Sequence, residues 1–335
     1  MRTTLLATVL SAVFLALINA CAQPTAASHQ QFLEFQAKAT KGDAEAQFNL
    51  GVCYSNGFGV ERDEAESVKW YRRAAEQDYA PAQCNLGICF ADGRGVTKDS
   101  VEASEWYRKA AVQQNVPAQY NLGKCYFKGE GVPKNLSEAV KWFRTAADQN
   151  YPKAQTSLGR CYMDGDGVER DYTVAVSWLR KAAAQHDASG QNNLGLCYAN
   201  GHGVEQTHTE AVRWFRKAAE QNDASAQNNL GVCYQLGEGV EKNFEEAANW
   251  YRKAARQNDA LAEANLGRCH AHGLGVTKDF AEAYAWLSLA ALIDPTVLKQ
   301  RDALAPQMTK EQIIAGAKRT RELRAQIDAH RTASK

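Results

Sequence analysis

The sequence lacks an excess of charge of either sign. It contains 39 lysines and arginines against 38 aspartates and glutamates, which gives a net charge of +1 over 335 residues. Proteins that bind nucleic acids usually carry a clustered basic face, so we expect no nucleic-acid partner. The charges fall mainly on the outward positions of predicted helices, which is typical of an ordinary solvated surface.

Recognisable catalytic and metal-binding motifs are also missing. The glycine pairs lack the lysine and the preceding strand of a phosphate-binding loop, and we find neither a nucleophile elbow nor a His-Glu-x-x-His pair. Asp164 and Asp166 lie in a glycine-rich turn that resembles a calcium loop, but the distant glutamate ligand is absent. His270 and His272 point to different faces of a helix. We therefore expect no metal, no cofactor and no enzymatic activity.

Long apolar runs are absent except at the N-terminus. Thr4 to Ile18 contains no acid and follows Arg2, as in a secretory signal. The run is shorter than the ~20 residues that a membrane-spanning helix prefers. Two processing routes stay open, because residues 18–21 resemble a bacterial lipobox that would lipidate Cys21, and residues 20–22 also fit a small-x-small cleavage site. We expect export, either as a membrane-anchored lipoprotein or as a soluble periplasmic or secreted protein.

A strict internal period dominates the rest of the chain. One glycine recurs every 36 residues without a slip, and a fixed period of ~20–50 residues indicates stacked repeats that bury their apolar faces against neighbours. The glycines are Gly51, Gly87, Gly123, Gly159, Gly195, Gly231 and Gly267. We predict a signal over 1–22, a linker and half-repeat cap over 23–43, and a C-terminal capping region over 296–335. Between them we place seven repeats, at 44–79, 80–115, 116–151, 152–187, 188–223, 224–259 and 260–295.

The residue pattern within each repeat predicts two helices. In the first repeat, apolar residues at helical spacing predict helix A over about Ala44–Asn56, which Gly57 ends in a left-handed conformation. Asp63 is positioned to cap helix B, predicted over about Asp63–Gln77. Gly51 lacks a side chain where the two helices would cross, so their backbones can approach closely. The chain ends are expected to be covered by an N-terminal helix carrying Phe32, Leu33 and Phe35 and by a charged helix from about Lys310 to Ala329.

Cysteine and tryptophan each occupy a single repeated position. Seven cysteines follow the repeat glycine by two residues, one per repeat. Stacked helices lie ~8–10 Å apart, whereas a disulfide needs Cα atoms within ~7 Å. We therefore predict reduced, buried thiols. All seven tryptophans fall in one column of helix B, between Trp70 and Trp286, and we predict that they belong to the core.

The repeated phrase resembles the Sel-one-like repeat, a relative of the tetratricopeptide repeat. The resemblance rests on the length of 36, the Ala-Gln-x-Asn-Leu-Gly opening, the Gly-x-Gly-Val turn and the Trp-Tyr-Arg-Lys-Ala-Ala segment. It implies an all-α fold, a right-handed α-solenoid of seven helix-turn-helix repeats with capping helices at both ends. It also implies a scaffold or adaptor role. Some disulfide-rich relatives are linked to β-lactam binding through two paired cysteines per repeat. Cys84 matches one of these, but Ala75 replaces the other, so that resemblance fails.

By analogy with tetratricopeptide stacks, helix A lines a concave groove. Variable aromatic, basic and amide residues at its inward positions are suited to an extended peptide. The candidate binding residues are Phe48, Ile88, Tyr120, Lys124, Phe127, Arg160, Asn192, Asn228 and Arg268. We expect a monomeric, exported, non-catalytic scaffold that binds a protein or peptide. Partners on the convex face, an envelope structural role with contacts to peptidoglycan or lipid, and a β-lactam-binding member remain as alternatives.

Overall fold

Residues 25–333, which the computed structural model describes, consist of helices joined by turns, with no strand in this range. The all-α fold class is confirmed. The signal segment and Cys21 lie outside the described residues. No helix between residues 25 and 333 combines the length and the apolar composition needed to cross a bilayer.

The helices follow the repeat pattern in strict alternation. Helix A and helix B of the first repeat are α2 and α3, and every later repeat adds one such pair. Two short 3-10 turns interrupt the chain between the last pair and the final helix, at Pro295–Val297 and Ala305–Gln307. The α-helices are α1 (Ala26–Ala39), α2 (Ala44–Asn56), α3 (Glu64–Ala75), α4 (Ala80–Asp92), α5 (Ser100–Val112), α6 (Val116–Lys128), α7 (Leu136–Asp148), α8 (Pro152–Asp164), α9 (Tyr172–Ala184), α10 (Ala188–Asn200), α11 (His208–Glu220), α12 (Ala224–Leu236), α13 (Phe244–Ala255), α14 (Ala260–His272), α15 (Phe280–Ile293), α16 (Leu298–Asp302) and α17 (Lys310–Ala333).

The chain forms two compact units, one ending at Ala154 and the other beginning at Gln155. In the first unit, each helix from α1 to α7 packs against the next. In the second unit, the helices from α9 to α15 pack in the same succession, and α17 packs against α15. Within each unit the helix pairs therefore stack in chain order, as in a solenoid.

Helix ends follow from the capping residues in the sequence. Asp63 lies just before α3, and its Oδ1 accepts a hydrogen bond from the backbone N–H of Glu66 at 2.9 Å. Gly57 ends α2 at φ 72°, in the left-handed region. Both capping roles were predicted from the sequence and are confirmed. Thr207, which replaces the acid in the fifth repeat, makes no side-chain capping bond.

The turns that join one repeat to the next use a feature the sequence analysis missed. One residue in each turn has a positive φ although it is not glycine, for example Asp78 at 59° and Asn150 at 63°. Asn and Asp tolerate this region better than most residues. The same column carries His186, a residue type that is also enriched in this region, and Gln114, so one turn holds a residue with no special preference for that conformation.

Glycines allow two close approaches between backbones. A Cβ placed on Gly51 would lie 2.6 Å from the Tyr71 ring and 3.2 Å from the carbonyl of Ser67 on α3. The predicted crossing of helices A and B at this column is thus confirmed. A Cβ on Gly131 would lie 1.8 Å from the carbonyl oxygen of Ser100, at the start of α5. The second glycine of the Gly-x-Gly turn therefore lets one repeat contact helix B of the repeat before it.

Both ends of the repeat region are covered by helices. At the start, Phe32 on α1 is buried and Phe35 packs against the same cluster, whereas Leu33 is 40% exposed and does not join the predicted cap. At the other end, Leu323 and Ile327 of α17 are buried against the last repeats. The final helix continues four residues beyond its predicted end at 329.

Candidate functional site

Each helix A exposes a narrow stripe of side chains next to its crossing glycine. The residues one and four positions after that glycine are three apart, so they are neighbours on one helix face. We call this stripe the A-face. In the first unit the A-face comprises Val52, Ser55, Ile88, Ala91, Lys124 and Phe127, all half-buried except the exposed Lys124.

The third repeat carries the aromatic and basic cluster predicted from the sequence. The Lys124 Nζ lies 5.7 Å from the centre of the Tyr120 ring. Tyr120 in turn packs against Phe143, at 5.9 Å between ring centres, and against Tyr151, at 5.5 Å. Phe127 contacts the same Phe143 ring at 6.2 Å. The structure thus brings Tyr120, Lys124 and Phe127 together, with a cation above partly exposed aromatic rings.

The position three residues before the glycine does not form an open surface as predicted. Phe48 packs half-buried between Tyr71 and Tyr79, with ring centres 5.8 and 5.5 Å away. In later repeats the same position is occupied by buried polar residues, including Asn192 and Asn228. The prediction of a ligand-facing column is therefore wrong for the buried members, which pack between helices, whereas Phe48 and Tyr120 of the same column are half-buried.

The amides of Asn192 and Asn228 are used inside the stack. The Asn229 Nδ2 donates to the Asn192 Oδ1 at 2.9 Å, and the Asn265 Nδ2 donates to the Asn228 Oδ1 at 2.8 Å. Each bond joins one helix A to the next helix A, 37 residues further on. The predicted role of these amides, to hold the backbone of a bound peptide, does not fit their buried position.

The remaining predicted residues lie on the A-face of the second unit. Arg160 is exposed on α8, and Arg268 is exposed on α14, where its Nη2 donates to the Oδ1 of Asn265. The apolar members of this stripe include Leu196 and Val232, which are half-buried.

Charged residues of helix B join adjacent repeats, a role the sequence analysis did not foresee. An arginine of one helix B donates through Nη2 to the tyrosine hydroxyl of the next helix A, as Arg108 does to Tyr126 at 2.8 Å and Arg216 to Tyr234 at 2.9 Å. These side chains are thus not merely a solvated surface. Each bond spans 18 residues, so only the stacked fold shows it.

The tryptophans lie at the edge of the core and not wholly within it. Trp106 and Trp286 are buried, whereas the other five are half-buried. In five repeats a lysine or arginine three residues later lies over the indole, for example Lys109 with its Nζ 3.9 Å from the Trp106 ring centre. The predicted core role is therefore wrong for the half-buried five, and four of these, all except Trp142, pack against a cation stem on one side.

A ladder of buried glutamines runs through the repeats. In the third repeat, the Gln119 Nε2 donates to the carbonyl of Ala111 at 3.2 Å, and its Oε1 accepts from the Gln149 Nε2 at 2.7 Å. The glutamine of the Ala-Gln opening repeats this pattern in both units, for example at Gln83 and Gln227. This glutamine recurs at the same position in six of the seven repeats. That regularity was the signal in the sequence that could have predicted a buried hydrogen-bonding role.

The seventh repeat breaks this ladder. Glu263 replaces the glutamine, is fully buried, and has no hydrogen-bond partner on either carboxyl oxygen within residues 25–333. Burial raises the pKa of Glu263 to about 8, the nearby Asp259 acts in the same direction, and Arg324 opposes it. The carboxyl group is therefore mostly protonated in the folded protein at neutral pH.

The cysteines are free and buried, which agrees with the predicted position of the column. Eight lie within the described residues, the seven of the repeat column and Cys84. Burial raises the pKa of the thiols, to about 12 at Cys53 and about 11 at Cys125. Neutral, enclosed thiols are poor nucleophiles.

Across residues 25–333, no group of three or more His, Cys, Asp or Glu side chains is arranged to hold a metal ion.

Comparison with known proteins identifies the repeat. The family model described as Sel1 repeat matches seven segments of the chain, at residues 44–79, 80–115, 116–151, 152–187, 188–223, 224–259 and 260–293. A solved Sel1 repeat protein from Oxalobacter formigenes is similar, with 32% identity and a TM-score of 0.67. The match covers 73% of this chain and 96% of that chain.

Curated relatives match over short segments of one to two repeats. The rat protein DAP3-binding cell death enhancer 1 is 44% identical over 41 residues, which is 12% of this chain and 8% of the relative. Chitin synthase regulatory factor 3 of Schizosaccharomyces pombe is 41% identical over 56 residues, which is 16% of this chain and 6% of the relative. The chain thus matches less than a tenth of the length of either protein.

Proposed function

This chain belongs to the Sel1 repeat family, and on that premise we propose that it is an exported scaffold that holds an extended peptide segment of a protein partner on the A-face of its first unit. Proteins built from Sel1 repeats are generally non-catalytic and mediate protein–protein interactions. The rat relative is named as a DAP3-binding protein, which is consistent with such a role.

The observation that carries the proposal is the cluster of Tyr120, Lys124 and Phe127. Lys124 is exposed and lies near aromatic rings that remain partly accessible. Its charge suits an acidic side chain of the peptide, and the half-buried Phe127 and Ile88 suit an apolar one. Aromatic residues of this kind often dominate binding energies, at ~2 kcal/mol or more on truncation. Arg160 and Arg268 add cations to the corresponding stripe of the second unit.

Peptide selection on the folded protein tests this role. A displayed library of random peptides is selected for binding to the wild-type protein, and the enriched peptides are then measured against the wild type and the variants Lys124→Glu and Phe127→Ala. We expect the wild type to enrich peptides that combine acidic and apolar residues, and both variants to lose at least tenfold in affinity for them. Lys128→Glu is the matched control, because Lys128 is an exposed lysine on the same helix. Equal losses in the control and in Lys124→Glu would reject the A-face as the binding surface.

Export and anchoring form a separate part of the proposal. The apolar segment from Thr4 to Ile18 and the lipobox-like residues before Cys21 support a lipidated N-terminus on a bacterial membrane. Mass spectrometry of the mature protein checks it, and we expect a chain that begins at diacylglyceryl-modified Cys21. A mature chain that begins at unmodified Gln23 would replace the lipoprotein by a soluble periplasmic or secreted form.

A further inference from the structure

The last repeats carry a pocket beside α17. It has a volume of about 630 Å³ and lies where α13, α14, α15 and α17 meet. Its lining residues are Arg252, Arg256, His270, Glu282, Trp286, Arg319, Leu323, Gln326 and Ile327. All of them belong to the second unit, and none belongs to the A-face.

At the pocket, a repeated column that is mostly tyrosine carries a histidine. In the preceding junction, Arg216 donates to the hydroxyl of Tyr234 at 2.9 Å. Beside Arg252, the residue equivalent to that tyrosine is His270, which has no hydroxyl group to accept a hydrogen bond from the arginine. Arg252 donates instead to the Asn249 Oδ1 on its own helix, at 2.8 Å, and its guanidinium lines the pocket.

The charge of the pocket is unbalanced. Arg319 is neutralised, since its Nε lies 2.5 Å from Glu282 and its Nη1 lies 3.4 Å from Glu322. Arg252 and Arg256 have no ion-pair partner among the described residues, and Arg256 is exposed. Two free guanidinium groups thus border a cavity whose acidic lining residue already has a partner. Planar guanidinium groups match carboxylates through paired N–H donors.

The opposite side of the pocket is apolar. Trp286, Leu323 and Ile327 line it and are nearly enclosed by the core around α17. A second, smaller pocket of about 320 Å³ shares Arg252 and Arg256 and reaches the half-buried Trp250. A bare inorganic anion would leave these apolar surfaces unused.

We propose that this pocket binds an organic carboxylate, in which the carboxylate pairs with Arg252 and Arg256 and an attached apolar group packs towards Trp286 and Leu323. Two sources share this chemistry, the free C-terminus of a peptide and a small free acid. The site is independent of the A-face, so the two binding activities can fail separately.

Nuclear magnetic resonance of the mature protein tests the site directly. The indole N–H signal of Trp286 is followed during titration with N-acetyl-phenylalanine, with its uncharged amide, and with inorganic phosphate. We expect the acid to shift the signal at concentrations at least tenfold below those needed for the amide or for phosphate. Equal effects of acid and amide, or tighter binding of phosphate, would overturn the carboxylate assignment.

Two variants locate the interaction. Arg256→Gln should weaken binding of the acid at least tenfold, whereas Arg321→Gln, an exposed arginine of α17 outside the pocket, should leave it unchanged. His270→Tyr restores the tyrosine of the column, so we expect its hydroxyl to accept a hydrogen bond from Arg252, draw that guanidinium away from the pocket and weaken binding of the acid at least tenfold, while the protein stays at least as stable. Retained binding in both Arg256→Gln and His270→Tyr would refute the site.

An acetylated pentapeptide ending in phenylalanine separates the two sources. Tighter binding than N-acetyl-phenylalanine assigns the site to peptide C-termini, and weaker binding assigns it to free acids. Both rankings support the carboxylate site, whereas the absence of any shift with either acid contradicts it.

Discussion

Glu263 offers the sharpest test of how the repeats are held together. Its equivalents Gln191 and Gln227 donate to the carbonyl oxygens of Ala183 and Ala219, at 3.3 and 3.2 Å. Glu263 can donate in this way only when it is protonated. The substitution Glu263→Gln restores the donor at the one position of the column where the sequence lacks it.

The expected size follows from the pKa. The carboxyl group titrates near its ordinary value of 4.5 in the unfolded chain and at about 8 in the folded protein. Between these values the folded state keeps a proton that the unfolded state has released, so stability falls as the pH rises from 4.5 to 8. The loss is about 3 kcal/mol at pH 7 and about 5 kcal/mol above pH 8, at 1.36 kcal/mol per pKa unit. A glutamine side chain does not titrate, so it contributes no such pH-dependent loss of stability.

We therefore expect Glu263→Gln to match the wild type in stability near pH 5 and to exceed it by about 3 kcal/mol at pH 7. Because terminal repeats can unfold separately from the rest, native-state hydrogen exchange of peptides from α14 and α15 is the appropriate measurement. Other groups of the second unit, such as His270, titrate in both proteins and cancel in the difference. Glu241→Gln is the control, since Glu241 is exposed in the loop before α13.

The reasoning fails if the difference in opening free energy between Glu263→Gln and the wild type is the same at pH 5 and pH 8. That result would mean that Glu263 is ionised in the folded protein. A difference that grows with pH but equals that of Glu241→Gln would assign the effect to net charge and not to the buried site.

Two further predictions concern packing and thiols. Gly123→Leu should destabilise the first unit by ~1–3 kcal/mol, because even a Cβ there would lie 2.7 Å from the Phe143 ring. Thermal unfolding measures this loss of stability. Lys128→Leu on the same helix is the control and should destabilise the unit much less. In the native protein, thiols such as Cys53 and Cys125 should not react with a thiol reagent until the protein is denatured without reductant, since both are buried. Missing thiol equivalents after denaturation would reveal disulfides and contradict the free state of the column.

Much of the local structure could be predicted because local rules decide it. The limits of α2 match the prediction from the first repeat, and Gly57 and Asp63 end and begin helices as expected. These features depend on residues within one or two turns of helix. The crossing at Gly51 was also predictable, since a small residue at a fixed place in every repeat points to a close contact.

The candidate site could be predicted only in part. Tyr120, Lys124 and Phe127 do lie together, because residues three, four and seven apart share a helix face. Asn192 and Asn228 could not be placed correctly, because an amide at the same helical position is equally suited to a ligand or to a neighbouring repeat. Their partners are 37 residues away.

The period of 36 residues, the helix pairs and their caps are thus properties of the sequence by itself, since each depends on neighbours along the chain. The tertiary structure alone decided which polar groups meet across 18, 30 or 37 residues, as in Arg108 with Tyr126 and Gln149 with Gln119. It also decided what happens when one partner changes. His270 and Glu263 look like ordinary substitutions in the sequence, but only stacking shows that one lines a pocket and the other buries a carboxyl group without a partner.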